Sequence, residues 1–188
     1  MILERFRSYQ SQDYVFKIAK SEEDLEGFHR LRKAIFCEEQ GVFEGDDLDL
    51  IDETMIPIVC KPMIAGMEDE VIGCVRIDER EPGLWYGSRL GVSSEYRRVR
   101  RFSAAASVRN QQPCNAGLGA IGAGLIYKAV STANAIGCEE FLATVQKQNA
   151  RFFERLHWQP LRSIQLHGFE HMLMRADLDY YKPAARVA

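Results

Sequence analysis

The stretch AGLGAIGAGLIYKAV, residues 116–130, constrains this chain most: four glycines stand in its first nine positions, and an apolar, helix-forming run follows. Each glycine inside a helix costs about 1 kcal/mol relative to alanine, so a helix that opens this way gains from a bare backbone. Read literally, Gly117, Gly119 and Gly122 spell G-x-G-x-x-G, the dinucleotide fingerprint. That pattern needs a strand leading into it and a carboxylate at the end of the next strand. The preceding residues, SSEYRRVRRFSAAASVRNQQPCN, form instead a long, basic loop without periodicity, and EEFLATVQ ends without a carboxylate. Two readings remain. One is close packing of helix on sheet. The other is an anion site, in which bare amides and the helix dipole, beside Arg97, Arg98, Arg100, Arg101 and Arg109, hold a pyrophosphate.

The flanking segments alternate between the strand and helix periods. YVFKIAK reads as a strand, and Ser21 with Asp24 forms a capping box for a helix expected to run to Gly41, with Leu25, Phe28, Leu31, Ile35 and Phe36 on its apolar face. Strands are expected at MIPIVCK, EVIGCVRIDE and LWYGSRLGV, where Gly87 and Gly91 suggest a bulge or a close backbone approach. The glycine-opened helix should span about Gly117 to Ile136. EEFLATVQ is a strand, NARFFERLHW a short helix, and PLRSIQLHG with EHMLMRADL a terminal hairpin. No repeat, low-complexity tract or linker divides the chain, so one domain over residues 1–188 is expected.

Arg32 lies four residues after Phe28 and four before Phe36, on the same apolar stripe, and Glu39 follows one heptad later. A charge on a buried face needs a partner. Either Arg32 pairs with Glu39 or with the acidic segment FEGDDLDLIDE and closes that segment over the helix, or Arg32, Phe36, Glu39, Asp47, Asp49 and Asp52 line a pocket for an amine, with a carboxylate holding or deprotonating it. The acidic run lacks the turn glycine of a calcium loop, and His167 and His171 flank a predicted turn without making a metal pair, so no metal is expected.

The order of elements, with SRLGVSSEYRR on the bulged strand and NARFFERL on the short helix, resembles the GNAT N-acetyltransferases over nearly the whole chain. The resemblance implies an α/β (α+β) GNAT fold: a mixed, mostly antiparallel sheet of six to seven strands flanked by helices and splayed at the acetyl-CoA strand. It implies acetyl-CoA as co-substrate, with the pantetheine arm along the backbone of Leu90, Gly91 and Val92 and the pyrophosphate at an [QR]-x-x-G-x-[GA] signature. Two registers fit, Cys114 to Gly119 and Gly117 to Gly122, both lacking the first Gln or Arg. Cofactor contacts are thus expected from Arg97, Arg98, Gly117, Leu118, Gly119, Ala120, Ile121 and Gly122, with Asn149 and Phe153. The family passes from strand to signature in a few residues, whereas this chain inserts some twenty.

FHRLRKAIFCEEQGVFEGDDLDLID, GLWYGSRLGV and AVSTANAIGCEEFLATVQKQNARFFERLHW look like the GNAT proteins of bacterial gene clusters that also carry a nitrilase and an aminoimidazole-ribotide-synthase-like protein. The spacing Asp47-x-Asp49-x-x-Asp52 with Arg76 on a later strand also resembles acyl-homoserine lactone synthases. In many GNAT enzymes a tyrosine in F-Y-x-x-x-G-F protonates the leaving thiolate. This chain has Phe152-Phe153-Glu-Arg-Leu-His157-Trp158 there, so thiolate departure is expected to be either unassisted or assisted by His157 or Tyr86.

The expected function is acetyl transfer from acetyl-CoA to a small amine. The alternatives are a synthase using S-adenosylmethionine and an acyl thioester, and a silent acyl-CoA-binding partner protein. A net charge of −3 gives no general pull toward nucleic acid or a membrane surface. The first residues lack a signal peptide's apolar core and no 18-residue apolar run occurs, so the cytoplasm is expected. Five cysteines, odd in number and without a C-x-x-C pair, read as reduced thiols. A homodimer is compatible with all of this.

Overall fold

The structure is a computed structural model that describes residues 11, 13–99, 119–166 and 168–183. Eight strands form one sheet in the order β1-β2-β4-β5-β6-β8-β7, with the two-residue β3 beside β2. They are β1 (Tyr14–Ile18), β2 (Ile56–Ile64), β3 (Met67–Glu68), β4 (Gly73–Glu81), β5 (Leu84–Val92), β6 (Glu140–Gln146), β7 (Trp158–Leu166) and β8 (Phe169–Ala176). Every pairing is antiparallel except β5 with β6. This is the mixed, mostly antiparallel sheet that the resemblance implies.

Helices cover both faces. The Ser21 hydroxyl accepts from the Asp24 amide at 3.2 Å and starts α1 (Glu22–Arg32) where the capping pattern places it. Alternation along β2 and β4 sorts their side chains: Val59 and Cys74 pack with Phe28 of α1, whereas Ile58, Cys60 and Val75 join Ile121, Leu125 and Ala129 of α2 (Gly119–Ala135). The short α3 (Ala150–Glu154) carries Phe152 and Phe153 into the α2-side core. Cys60, Cys74 and Cys138 are buried free thiols.

Two local features depart from the sequence reading. Helix α1 does not run on to Gly41 as an α-helix; from Lys33 to Glu39 it widens into a π-helix, with the Gln40 amide donating to the Ile35 carbonyl at 3.0 Å. The wide turn pushes Ile35 into the space that Gly91 leaves bare: a Cβ on Gly91 would lie 2.7 Å from Ile35 Cδ1. The bulge of β5 falls between the two glycines rather than on either. Arg89 and Leu90 together face the single Val75 of β4, and Arg89 adopts φ +54°.

One glycine of the opening stretch has a packing role. A Cβ on Gly124 would stand 2.5 Å from Phe16 Cζ of β1, so the bare backbone there lets α2 close onto the sheet. Gly124→Val should therefore destabilise the fold by about 3 kcal/mol through overpacking, outweighing the roughly 1 kcal/mol of helix propensity that leaving glycine gains. Denaturant unfolding of Gly124→Val, Phe16→Leu and the double variant checks this. The double variant should recover part of the loss, whereas simple additivity would exclude the ring as the cause.

Candidate functional site

The parallel pairing of β5 and β6 runs from Leu84↔Glu140 to Gly87↔Ala143 and stops, although β5 continues to Val92 and β6 to Gln146. Beyond Gly87 the two strands diverge, and two adjoining cavities fill the gap. The first, of about 780 Å³, is lined by Leu90, Gly91 and Val92 of β5, by Gln146 to Asn149 after β6, and by Ile35, Glu39, Gln40 and Arg97. The second, of about 470 Å³, shares Gln40, Leu90, Gln146 and Asn149 with it and extends between Phe36, Phe43, Tyr86 and Ser88 on one side and Ile126, Ala129 and Val130 on the other. The residues after α1 and those of α2 lie on opposite faces of the sheet, so this cavity crosses the sheet where the ladder is missing. Its far end is walled by Phe141, Val145, Phe153 and Trp158, all nearly fully buried.

The basic loop and the glycine-opened helix meet at this gap. The Ala120 amide donates to the Val99 carbonyl at 3.1 Å, so residues 99 and 120 are neighbours despite the insertion between them. Arg97 lies two residues from that junction. Its Nε donates to the Val92 carbonyl at 2.8 Å, and its two Nη atoms hold the Glu39 carboxylate at 2.5 and 2.7 Å. The hydrogen bonds from Arg97 keep the Glu39 carboxyl below its ordinary pKa, burial opposing weakly. The amide of Ala120 is occupied by Val99, and the side chains of Ala120 and Ile121 are buried. Arg98 is exposed and lines neither cavity. Gly117 and Leu118 lie outside the described residues, as do Arg100, Arg101, Arg109, Cys114 and His167.

Beside the through-sheet cavity, three arginines and three aspartates interlock. Arg32, with no exposed surface, donates from Nε to Asp47 Oδ2 at 2.8 Å and from Nη1 to Asp52 Oδ1 at 2.5 Å. Arg76 grips both Asp49 oxygens at 2.7 Å and donates from Nε to Ser88 Oγ at 2.8 Å. Arg89 reaches Asp47 Oδ2 at 2.8 Å and Asp49 Oδ2 at 3.3 Å, with its guanidinium 4.3 Å from the Phe43 ring centre. Burial alone would raise the Asp52 pKa. Bonds from Arg32, the Asp49 amide and Arg76 overcome it and hold the carboxyl far below the usual range. Asp49 is lowered in the same way, chiefly by Arg76. Asp49 and Asp52 also cap the 3-10 turn Leu50–Glu53 reciprocally. The acidic segment is thereby strapped across the α1 face of the sheet, as in the pairing alternative for Arg32.

Of the residues singled out for an acceptor, Phe36, Asp49 and Arg76 line the through-sheet cavity, as does the candidate acid Tyr86, whereas Arg32, Asp47 and Asp52 form the ion cluster behind it. Tyr86 lies under the Arg80 guanidinium, 3.7 Å from its ring centre. Glu39 belongs to the other cavity with Arg97. His157 is outside both: its ring stacks on Tyr180 with centroids 3.8 Å apart, and its backbone, in the turn between α3 and β7, has φ +63°. That left-handed backbone usually favours glycine, so position 157 is a turn position and not one that aims a side chain into the cavity. Sequence reasoning missed Ser88, Arg89, Thr144 and the wall role of His171, which line the cavity. Thr144 and Gln146 alternate with buried Ala143 and Val145 on β6, and His171 pairs with Gln146 in register, so strand alternation could have found them. Among the described residues no cluster of metal-ligating side chains occurs, and no helix is long and apolar enough to cross a membrane.

No protein-family model matches the chain, and no curated protein matches it in sequence. Solved structures do match. A Lactobacillus plantarum protein provisionally assigned as an N-acetyltransferase is 17% identical, with a TM-score of 0.69 over 88% of this chain and 99% of its own. An acyl-CoA N-acyltransferase from Pseudomonas aeruginosa is 16% identical, with a TM-score of 0.61 over 89% and 100%. The acyl-homoserine lactone synthase LasI is 14% identical, with a TM-score of 0.62 over 93% and 98%. The chain therefore has a GNAT-like fold, the open and mostly antiparallel sheet that N-acetyltransferases and acyl-homoserine lactone synthases share.

Proposed function

We propose that this protein transfers an acyl group from a CoA thioester to a small amine, with acetyl-CoA as the simplest donor. The observation that carries the reading is the unpaired edge of β5 beyond Gly87, which faces the 780 Å³ cavity. A strand edge there needs partners for its amides and carbonyls, and the pantetheine arm of CoA carries two amides able to add to it as an extra strand would. Arg97, at the junction with α2, is the cation for the phosphates, and the backbone N–H groups near Leu90 to Val92 are donors for the oxyanion of a tetrahedral intermediate. Glu39, held ionised by Arg97, positions that arginine and is a poor proton acceptor.

Calorimetry with CoA and acetyl-CoA tests this. Saturable binding is expected, weakened at least tenfold in Arg97→Ala. Folded wild-type protein that gives no heat with either ligand at millimolar concentration would exclude acyl transfer from CoA thioesters. The cavity crossing the sheet favours one further reading, an acyl-homoserine-lactone-type synthase, because it offers room for an acyl group longer than acetyl. Such an enzyme needs S-adenosylmethionine. Release of methylthioadenosine with hexanoyl-CoA present would favour it, and transfer to a simple amine without that release would favour the first reading. CoA binding with neither product would identify a silent acyl-CoA-binding protein.

A further inference from the structure

Resting on the transfer reading above, we infer that His171 is the base that removes the proton from the attacking amine. The residue is 8% exposed and lines the through-sheet cavity. Nδ1 lies 2.9 Å from the Phe169 carbonyl of the same strand, and since a carbonyl only accepts, Nδ1 carries the proton. The lone pair is then on Nε2, which has no hydrogen-bond partner among the described residues. This is the tautomer a general base requires, fixed by the hairpin itself.

The carboxylates nearby are committed elsewhere. On the segments flanking His171, Lys147 and Glu170 pair with each other at 2.7 Å, and Ser163 Oγ of β7 donates to Glu170 at 3.1 Å. Across the cavity, Asp49 is gripped by Arg76 and Arg89, Arg80 donates to Asp78, and the remaining titratable wall group is the Tyr86 phenol. On the cofactor side, Glu39 is held by Arg97. His171 is the uncommitted base of the described cavity wall.

The step balances without a co-reactant. The amine lone pair attacks the thioester carbon, the N–C bond forms, and the C=O pair moves to oxygen. Nε2 takes the ammonium proton. The C=O bond re-forms as the C–S bond breaks, the electron pair leaves on sulfur, and the imidazolium returns its proton to the thiolate, giving amide and CoA thiol. One histidine thus acts first as base and then as acid, in a chain whose α3 offers Phe153 where a tyrosine acid is common.

The test uses His171→Asn, whose side-chain amide preserves a donor toward Phe169 but lacks Nε2, and His171→Gln. Acetyl-CoA is the donor and methylamine and ethanolamine are the acceptors, with melting curves and CoA affinity as controls. At pH 7.5 both variants should lose at least 100-fold in kcat/KM while binding CoA within twofold of wild type. The wild-type pH–rate profile should fall on its acid side, and this limb should vanish in the variants. A fall of less than threefold, or a fall with the pH profile unchanged, overturns the base role. So does a wild type that binds CoA yet acylates neither amine. A wild type that does not bind CoA overturns the transfer reading and this one with it.

Discussion

Arg32→Met should lower stability by about 3–5 kcal/mol, the cost of breaking a buried ion network at the one guanidinium that bonds both Asp47 and Asp52, with Arg89 and Arg76 left to hold them. For a chain of this size that is roughly 10 °C in Tm. The number is large because Arg32 has no exposed surface and holds two aspartates of the acidic segment at once, while Asp47 is only 3% exposed. Asp47→Asn and Asp52→Asn in the Arg32→Met background should recover part of the loss, since neutral amides no longer need the guanidinium. The same cluster sets an acid limit. Asp49 and Asp52 have folded pKa values depressed below their unfolded values, so their contribution is complete above the unfolded carboxylate value of about 4 and is lost as pH falls through the folded values. Unfolding midpoints should hold from pH 7 to 5 and drop below pH 4. A Tm shift under 2 °C for Arg32→Met would show that the ion pairs close the strap without stabilising the fold.

Donor length provides the second large effect. If the through-sheet cavity receives the acyl group, hexanoyl-CoA gains four buried methylenes over acetyl-CoA at about 0.8 kcal/mol each, which amounts to roughly a hundredfold in affinity. Ala129, on the α2 wall of that cavity, is small and 2% exposed. Ala129→Leu fills the space behind the gap and should return the two affinities to within about fivefold, leaving CoA itself unaffected. Competition calorimetry reads this without knowledge of the acceptor. Equal affinities of wild type for both thioesters would mean that the acyl group stops short of the sheet.

The elements legible in the sequence were those written in periodicity and capping: the Ser21 cap, the alternating strands, the long apolar helix and the terminal hairpin all occur where the patterns put them. What the patterns hid was backbone geometry carried by unexpected residue types. The π-turn at Lys33–Glu39 has no periodic signature. The bulge rests on Arg89 rather than on Gly87 or Gly91, because the ion pairs from Arg89 to Asp47 and Asp49 hold a side chain at a position that usually favours glycine. The cavity was half visible. Leu90 to Val92 and Arg97 follow from the resemblance, but the insertion masked the adjacency of Val99 and Ala120, and β8 looked like a hairpin strand with one unremarkable histidine, His171, rather than a wall of the cavity.

The hydrogen bond between Val99 and Ala120 has a consequence for how such a chain diversifies. The bond ties the turn that follows β5 directly to the first turn of α2, so a shift of either element is passed to the other without travelling round the sheet. Substitutions that move α2 therefore move the backbone beside Arg97 as well, and the two walls of the gap vary together rather than one at a time.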